Sequence, residues 1–196
     1  MVNWYPLQFK PIPVARPWGG RRIAALGREL PKGSIIGETW EISDRDEAPS
    51  VVASGSLAGR TLRELCRSHW TELVGDLPPR QRFPLLIKFL DVRELLSIQV
   101  HPDDRLSGGE GKTEAWYFME ADRGAELYLG LRKGTRDTQV AEAVAAGNLE
   151  RLLVKHRPKA GDAAYLPAGT VHAVGGGALI AEIQQKIGTP EAQAIV

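Results

Sequence analysis

The stretch GEGKTEAWYF, residues 109–118, could form either a phosphate-binding loop that opens a helix or a β-strand. Its Gly111-Lys112-Thr113 matches the end of a phosphate-binding P-loop, which follows a buried strand and opens a helix. That motif also needs a glycine at position 106, where the chain has Leu106. The aromatic run at 115–119 favours a strand over a helix. The stretch therefore predicts a β-strand on which Lys112 and Glu114 share one face.

Short apolar segments bounded by turn residues continue on both sides of this strand, which we place at about 114–120. Further strands are predicted at residues 37–43, 50–52, 84–90, 95–101, 125–129, 163–167, 171–174 and 178–184. Residues 1–34 carry several prolines and glycines, and we expect them to be irregular or to form short extended segments. Many short strands separated by turns favour a β-sandwich or barrel.

Two segments have the spacing of helices. Thr61-Leu62-Arg63-Glu64 is a capping box, and apolar residues at helical spacing follow it up to Gly75. We therefore predict a helix over about 62–74 and a second helical segment over about 137–155, with a break at Gly147-Asn148. His69 lies inside the first segment and is interpreted as an ordinary helix residue rather than a ligand.

The composition is that of a globular protein of one domain. The chain has 196 residues, of which 43% are hydrophobic and 25% charged, and its net charge is +1. This balance gives no general electrostatic reason to expect nucleic acid or an anionic membrane as a partner. Cys66 is the only cysteine, which excludes an internal disulfide and a cysteine-rich zinc site. With no signal peptide and no run of ~18 apolar residues, we expect a soluble, cytoplasmic protein.

Polar side chains collect on one face of several predicted strands. Alternation places Ser97, Gln99 and His101 on one face and Ile98 and Val100 on the other. Further polar positions grouped in this way are Lys112 with Glu114, His172, and Glu182 with Gln184. Such faces must meet solvent, a ligand or one another, because buried polar groups need partners.

His101, Glu114 and His172 come from three predicted strands and form a combination that binds metals. Two neutral imidazoles and a carboxylate suit zinc or iron in a site with open positions. The side-chain amide oxygen of Gln99 can serve as a fourth, weaker ligand. On spacing alone the alternative stays open that each histidine is structural and that the polar faces meet solvent.

Several motifs, taken together, resemble the type I mannose-6-phosphate isomerases. The matching strings are PWGG (17–20), GETWEIS (37–43), LSIQVHPDD (96–104), GKTEAWY (111–117), PAGTVHA (167–173) and IAEIQQ (180–185). They occur in the family's order and cover the chain from about residue 10 to residue 185.

The resemblance implies a mainly β, cupin-type barrel or sandwich, a jelly roll, that holds one Zn²⁺ per chain. The zinc ligands implied by position are Gln99, His101, Glu114 and His172. Ser97 and Lys112 would line the substrate site near the sugar phosphate. Glu182 matches a family position in the active-site cleft.

The reaction of this family interconverts mannose 6-phosphate and fructose 6-phosphate, so the implied partner is a small-molecule sugar phosphate. A proton moves between C2 and C1 through an enediol-like intermediate. Such a step needs stabilised charge on the oxygens, a base and an anchored phosphate. Three candidates for the base stay open: Glu182, Lys112 in a desolvated pocket, or zinc-bound hydroxide.

The sequence departs from the family after Gln185. Family members continue with a Tyr-Arg-x-Tyr-Asp-x-x-Arg-like motif that supplies an arginine to the active site, whereas residues 186–196 read KIGTPEAQAIV. We therefore predict one isomerase domain over 1–185 and a divergent tail over 186–196, as in a C-terminally truncated member. The loop of 12 residues between His101 and Glu114 is also short for the family.

Competing interpretations stay open on the sequence alone. The same site could bind zinc and a sugar phosphate without turnover, because the family's arginine is absent. Two histidines and a carboxylate are also the iron ligands of some dioxygenases, although Gln99 and the Gly-Lys-Thr-Glu string argue against that class. A structural sandwich without a site would leave the polar strand faces unexplained.

Overall fold

The computed structural model describes residues 3–80, 82–109, 111–185 and 194–195. The strands are β1 Ile12–Gly20, β2 Ile36–Ile42, β3 Leu85–Val92, β4 Gln99–Val100, β5 Glu114–Ala121, β6 Leu127–Leu131, β7 Leu153–His156, β8 Ala163–Leu166, β9 His172–Val174, β10 Ala178–Gln185 and β11 Ala194–Ile195. The helices are α1 Leu62–Ser68, α2 Trp70–Val74 and α3 Asp137–Ala145, with short 3₁₀ turns at Arg22–Leu26 and Leu149–Leu152. Within the described ranges, no helix is long and apolar enough to cross a membrane.

The described strands form two antiparallel sheets that pack face to face. The first sheet has the order β1-β2-β3-β10-β5-β8, and the second has the order β11-β4-β9-β6-β7. The main core lies between them, where Phe118 and Ile180 of the first sheet join Leu127 and Val174 of the second. The prediction of a mainly β protein is confirmed.

Strand β10 lies inside the first sheet and pairs with β3 on one side and with β5 on the other. Its side chains alternate, so that Ile180, Glu182 and Gln184 are buried while Ile183 on the opposite face is 47% exposed. The inward face of one strand thus passes from apolar to polar along its length. The apolar part belongs to the core, and the polar part lies in the interior cavity described below.

The N-terminal segment was expected to be irregular or only briefly extended, and this expectation is wrong in part. Residues Ile12–Gly20 form the long strand β1. β1 lies at the edge of its sheet and pairs only with β2, with register shifts on either side of Ala15. An edge strand tolerates Pro13 and Pro17, because a missing N–H on the outer side breaks no ladder bond.

The two predicted helical segments exist with different bounds. The first is interrupted at His69, whose φ of −146° is not helical, so α1 and α2 are separate helices. His69 lies at this junction with its ring edge-on to Trp4. The second segment was predicted to reach residue 155, but α3 ends at Ala145. Gly147 has a positive φ of 63°, which ends the helical conformation. Residues 153–156 then form β7 instead of helix, because they pair with β6.

Most of the predicted tail, residues 186–193 and 196, lies outside the described residues. Only Ala194–Ile195 is described, as strand β11, which pairs with β4. The division into a domain over 1–185 and a divergent tail stays a prediction.

The two faces of β5 give a test of the core. Phe118 is completely buried, so Phe118→Ala is expected to lower the free energy of unfolding by about 3–5 kcal/mol. Its neighbour Tyr117 is 50% exposed on the other face, and Tyr117→Ala is expected to cost about 1 kcal/mol or less. Urea unfolding of both variants measures the difference, and equal losses would contradict this assignment of faces.

Candidate metal centre and active site

Three buried side chains from separate parts of the chain converge in the interior. They are those of His101, Glu114 and His172, each no more than 3% exposed. Their candidate ligand atoms all lie within 4.8 Å of one another. The structure therefore brings together the histidines and the carboxylate that sequence spacing had grouped.

The positions of these residues on the strands explain the convergence. His101 directly follows β4 and His172 begins β9, and these strands pair with Gln99 opposite His172. Glu114 begins β5 in the other sheet, opposite Gln184 of β10. The cluster joins the two sheets, so neither sheet alone could assemble it.

Hydrogen bonds fix which ring nitrogens face the centre of the cluster. Nδ1 of His172 lies 2.8 Å from the backbone oxygen of Thr170. A carbonyl only accepts, so Nδ1 donates and Nε2 of the neutral ring presents a lone pair. Nε2 of His101 lies 3.1 Å from Nζ of Lys112, and it accepts because an ammonium only donates. Burial lowers the pKa of His101, which favours its neutral ring.

Both carboxylate oxygens of Glu114 face these accepting nitrogens. Oε1 lies 3.3 Å from Nε2 of His101, and Oε2 lies 3.4 Å from Nε2 of His172. Neither oxygen accepts a hydrogen bond of ordinary geometry from the described residues, although Nζ of Lys112 lies 2.5 Å from Oε1. Burial alone would raise the pKa of Glu114, whereas the positive charge of Lys112 lowers it.

The two imidazole nitrogens and the carboxylate oxygens are all hydrogen-bond acceptors that face one another. Such an arrangement repels itself unless a positive charge lies between these atoms. Two imidazole nitrogens and a carboxylate are the donor set of many zinc and iron sites with open positions. The hydrogen bond from His172 to Thr170 is the kind of outer contact that orients a metal-binding histidine. The residues present therefore fit a divalent metal ion.

A cavity of about 710 Å³ opens beside this cluster. Ser97, Gln99, Lys112, Glu114 and Glu182, all selected from the sequence, contribute to its wall. Nε2 of Gln99 donates a hydrogen bond of 3.3 Å to Oγ of Ser97. The candidate site residues are thus in one place, while the role of each stays a prediction.

The cavity also holds a buried lysine that sequence analysis did not select. Nζ of Lys88 lies 2.8 Å from Oε2 of Glu182 and 3.5 Å from Oε2 of Glu38. Burial works against its charge, but the two carboxylates raise the pKa of Lys88 above its usual value. Oε1 of Glu182 accepts a hydrogen bond of 2.8 Å from Nε1 of Trp116. Burial raises the pKa of Glu182, against the opposing effect of Lys88.

Glu38 is a second functional candidate that sequence analysis missed. It accepts hydrogen bonds of 2.7 Å from Nε1 of Trp40 and 2.8 Å from Nε of Arg16. Burial alone would raise its pKa, but Lys88, Trp40 and Arg16 together lower the pKa of Glu38 to about 2. One signal was available: Lys88 interrupts an otherwise apolar strand, and a buried charge requires a partner of opposite sign.

Comparison with known proteins bears directly on this arrangement. A model of the type I phosphomannose isomerase catalytic domain matches residues 13–134. The chain belongs to this family. The matched range contains Gln99, His101, Lys112 and Glu114. His172 lies beyond it, and the structure brings that residue to the same place.

Individual relatives agree with the family assignment. The chain is 38% identical over 192 residues to mannose-6-phosphate isomerase ManA of Bacillus subtilis (strain 168), covering 94% of this chain and 59% of the relative. It is 41% identical over 177 residues to the mannose-6-phosphate isomerase of Streptococcus mutans serotype c, covering 88% and 55%. The chain thus spans less than two thirds of the length of these relatives.

A solved structure supports the fold. The crystal structure of the mannose 6-phosphate isomerase from Bacillus subtilis superposes with a TM-score of 0.87 at 38% identity, covering 98% of this chain and 61% of that one. This likeness confirms the expected cupin-type architecture of two packed antiparallel sheets.

Metal binding can be tested at His172. We expect His172→Ala to weaken zinc binding by at least about 10²-fold, because outer-shell changes alone cost 10–100-fold. His156→Ala is the matched control, since that histidine is exposed on β7. Zinc affinity is measured by competition with a chromogenic chelator. Equal affinity in the two variants would contradict a metal site at His172.

The depressed pKa of Glu38 predicts a stability that depends on pH. Its contribution is fully present above the ordinary value of 4.5 and is lost as the pH falls towards about 2. The shift corresponds to roughly 3 kcal/mol. Urea unfolding should show wild type more stable than Glu38→Gln at pH 7, with the difference shrinking between these two pH values. A difference that does not change with pH would refute the assignment.

Proposed function

We propose that this chain is a zinc-dependent aldose–ketose isomerase that interconverts mannose 6-phosphate and fructose 6-phosphate. The observation that carries the proposal is the buried cluster of His101, Glu114 and His172 beside the Lys88–Glu182 ion pair. It occurs in a chain of the type I phosphomannose isomerase family. A metal-binding set and a carboxyl group with a raised pKa, side by side, are what an isomerase that moves a proton requires.

The cavity suits a small polar substrate. Its volume of about 710 Å³ lies within the range of ~300–1,000 Å³ usual for small-molecule sites. Its charged lining residues are Arg16, Arg45, Lys88 and Lys112 against Glu38, Glu47, Glu114 and Glu182. The formal charges of this lining balance, so a bound divalent cation would give the cavity a net positive charge, which favours an anionic substrate.

His101, Glu114 and His172 would hold the zinc ion, with Gln99 as a fourth ligand. When bound, zinc supplies Lewis-acid stabilisation for negative charge that develops on the sugar oxygens. Two observations support Gln99 as the fourth ligand: it lies opposite His172 in the paired strands, and it lines the cavity.

Glu182 is our candidate for the group that carries the proton between C2 and C1. Trp116 and Lys88 each hold one of its oxygens at 2.8 Å, which fixes the carboxyl group in the cavity wall. Burial raises the pKa of Glu182, which makes its carboxylate a stronger base. Ser97 and Lys112 would bind the substrate next to the cluster.

A second candidate function uses the same site without turnover. Residues 186–196 do not match the arginine motif that the family resemblance leads one to expect after Gln185. Charge stabilisation by one such group contributes on the order of 10²–10³ in rate. A chain without it would remain a zinc protein that binds a sugar phosphate.

One assay separates these candidates. The zinc-loaded chain is given mannose 6-phosphate, and fructose 6-phosphate is measured by a coupled reaction. We expect turnover that a chelator abolishes, and a fall of about 10²–10⁴-fold in kcat for zinc-loaded Glu182→Gln. A folded, zinc-loaded chain that binds substrate but does not turn it over would establish the second candidate. A folded chain that binds no zinc would overturn both.

A further inference from the structure

We propose that Arg45, together with Arg16, binds the phosphate group of the substrate at the end of the cavity opposite the metal cluster. The assignment rests on the proposed function, because it takes a sugar phosphate as the ligand. It concerns a different part of the cavity from the residues that would hold zinc or move the proton.

The two arginines are linked through Glu38 and Trp40. Nε of Arg16 binds one oxygen of Glu38, and the indole of Trp40 donates to the other. The guanidinium of Arg45 lies over the Trp40 ring, 5.5 Å from its centroid. Both arginines line the cavity, together with the glutamates that pair with them.

Arg16 is separated from the metal cluster by the width of the sheet. Arg16 is on β1 and Glu114 on β5, which are four strand positions apart in the first sheet. Neighbouring strands lie ~4.8 Å apart, so the two backbones are separated by roughly 19 Å. Arg16, Arg45 and Glu114 all line the one cavity, so a ligand in it can contact both regions. A sugar whose reacting carbons face the metal cluster would direct its phosphate towards the arginines.

The ion pairs of the arginines leave their terminal nitrogens available. Arg16 contacts Glu38 through Nε, and Arg45 contacts Glu47 through Nε. Within the described ranges, the terminal nitrogens of these two guanidinium groups have no hydrogen-bond partner. Paired terminal N–H groups are the geometry with which arginine binds two oxygens of a phosphate.

The loop that carries Arg45 is held in place by buried polar residues and by hydrogen bonds. Ser43, Asp44 and Ser50 are almost fully buried. Nε of Arg63 donates to Oδ1 of Asp44 at 2.6 Å. The backbone N–H of Arg45 donates to Oγ of Ser43 at 3.2 Å. The backbone is therefore fixed before a ligand arrives, which reduces the entropy lost on binding.

The lysines of the cavity are less suited to the phosphate, because Lys88 lies between two buried carboxylates and Lys112 lies against buried Glu114. Arg16 also has a buried partner, Glu38, but contacts it through Nε and keeps its terminal nitrogens for a ligand.

The partner of Arg45 is different, since the side chain of Glu47 is 57% exposed. An exposed carboxylate can turn into solvent at little cost. Arg45 can therefore exchange its partner for a phosphate, and Glu47 is the group that competes with it.

The test is calorimetric titration of zinc-loaded proteins with mannose 6-phosphate and, separately, with mannose. We expect Arg45→Gln to raise Kd for mannose 6-phosphate about 10–100-fold, as expected for lost charge-assisted hydrogen bonds, and to leave Kd for mannose unchanged. Glu47→Gln should lower Kd for mannose 6-phosphate, and Lys112→Gln is titrated for comparison. Arg67→Gln, an exposed arginine on α1, is the control. Circular dichroism and zinc content verify that each variant is folded and loaded.

Several results would contradict the assignment of the phosphate to Arg45. Arg45→Gln that binds mannose 6-phosphate as tightly as Arg67→Gln does would overturn the assignment. So would an equal loss for both sugars, or a phosphate-specific loss confined to Lys112→Gln, which would put the phosphate at the metal end. Wild type that binds neither sugar also overturns it. If wild type binds mannose 6-phosphate without turnover, the isomerase proposal fails, and the Kd values still decide the role of Arg45.

Discussion

The hydrogen-bonded pairing of β10 with both β3 and β5 organises the interior of this protein. A strand paired on both sides has its register fixed twice, and a slip by one residue would turn Glu182 and Gln184 outward. Fixed register places Glu182 opposite Lys88 on one neighbour and Trp116 on the other. The same pairing brings Glu114 of β5 into the polar part of the interior. The core and the candidate site are thus built on one strand.

Burying so many charges in a barrel requires that each be paired. Lys88 meets Glu182 and Glu38, and Glu38 also binds Arg16. Removing one member of such a network leaves an uncompensated charge, which costs several kcal/mol. Glu114 differs from these groups, because its oxygens face accepting imidazole nitrogens and its ion pair is with Lys112. That imbalance is the structural reason for expecting a metal ion there.

The candidate metal-binding residues can be recognised in the sequence because each carries a local signal. His101 and Glu114 lie on strands whose polar residues alternate with apolar ones, and His172 follows a Pro-Ala-Gly turn. Lys88 had a weaker signal, because it is the single charged residue in the predicted strand 84–90. Arg45 had none, because it lies in a loop whose position depends on the buried anchors beneath it. The early end of α3 was also missed, since pairing of β7 with β6 overrides the helical pattern there.

The amino-acid sequence by itself determined the class of fold, the family and the residues able to bind a metal. Periodicity and motif order are local properties of the chain, and they can be read without coordinates. Only the tertiary structure decided that Lys88 joins Glu38 to Glu182, and that Arg16 and Arg45 line the same cavity. Those contacts join residues far apart in the chain, and they arise only when strand register and the packing of two sheets fix which side chains meet.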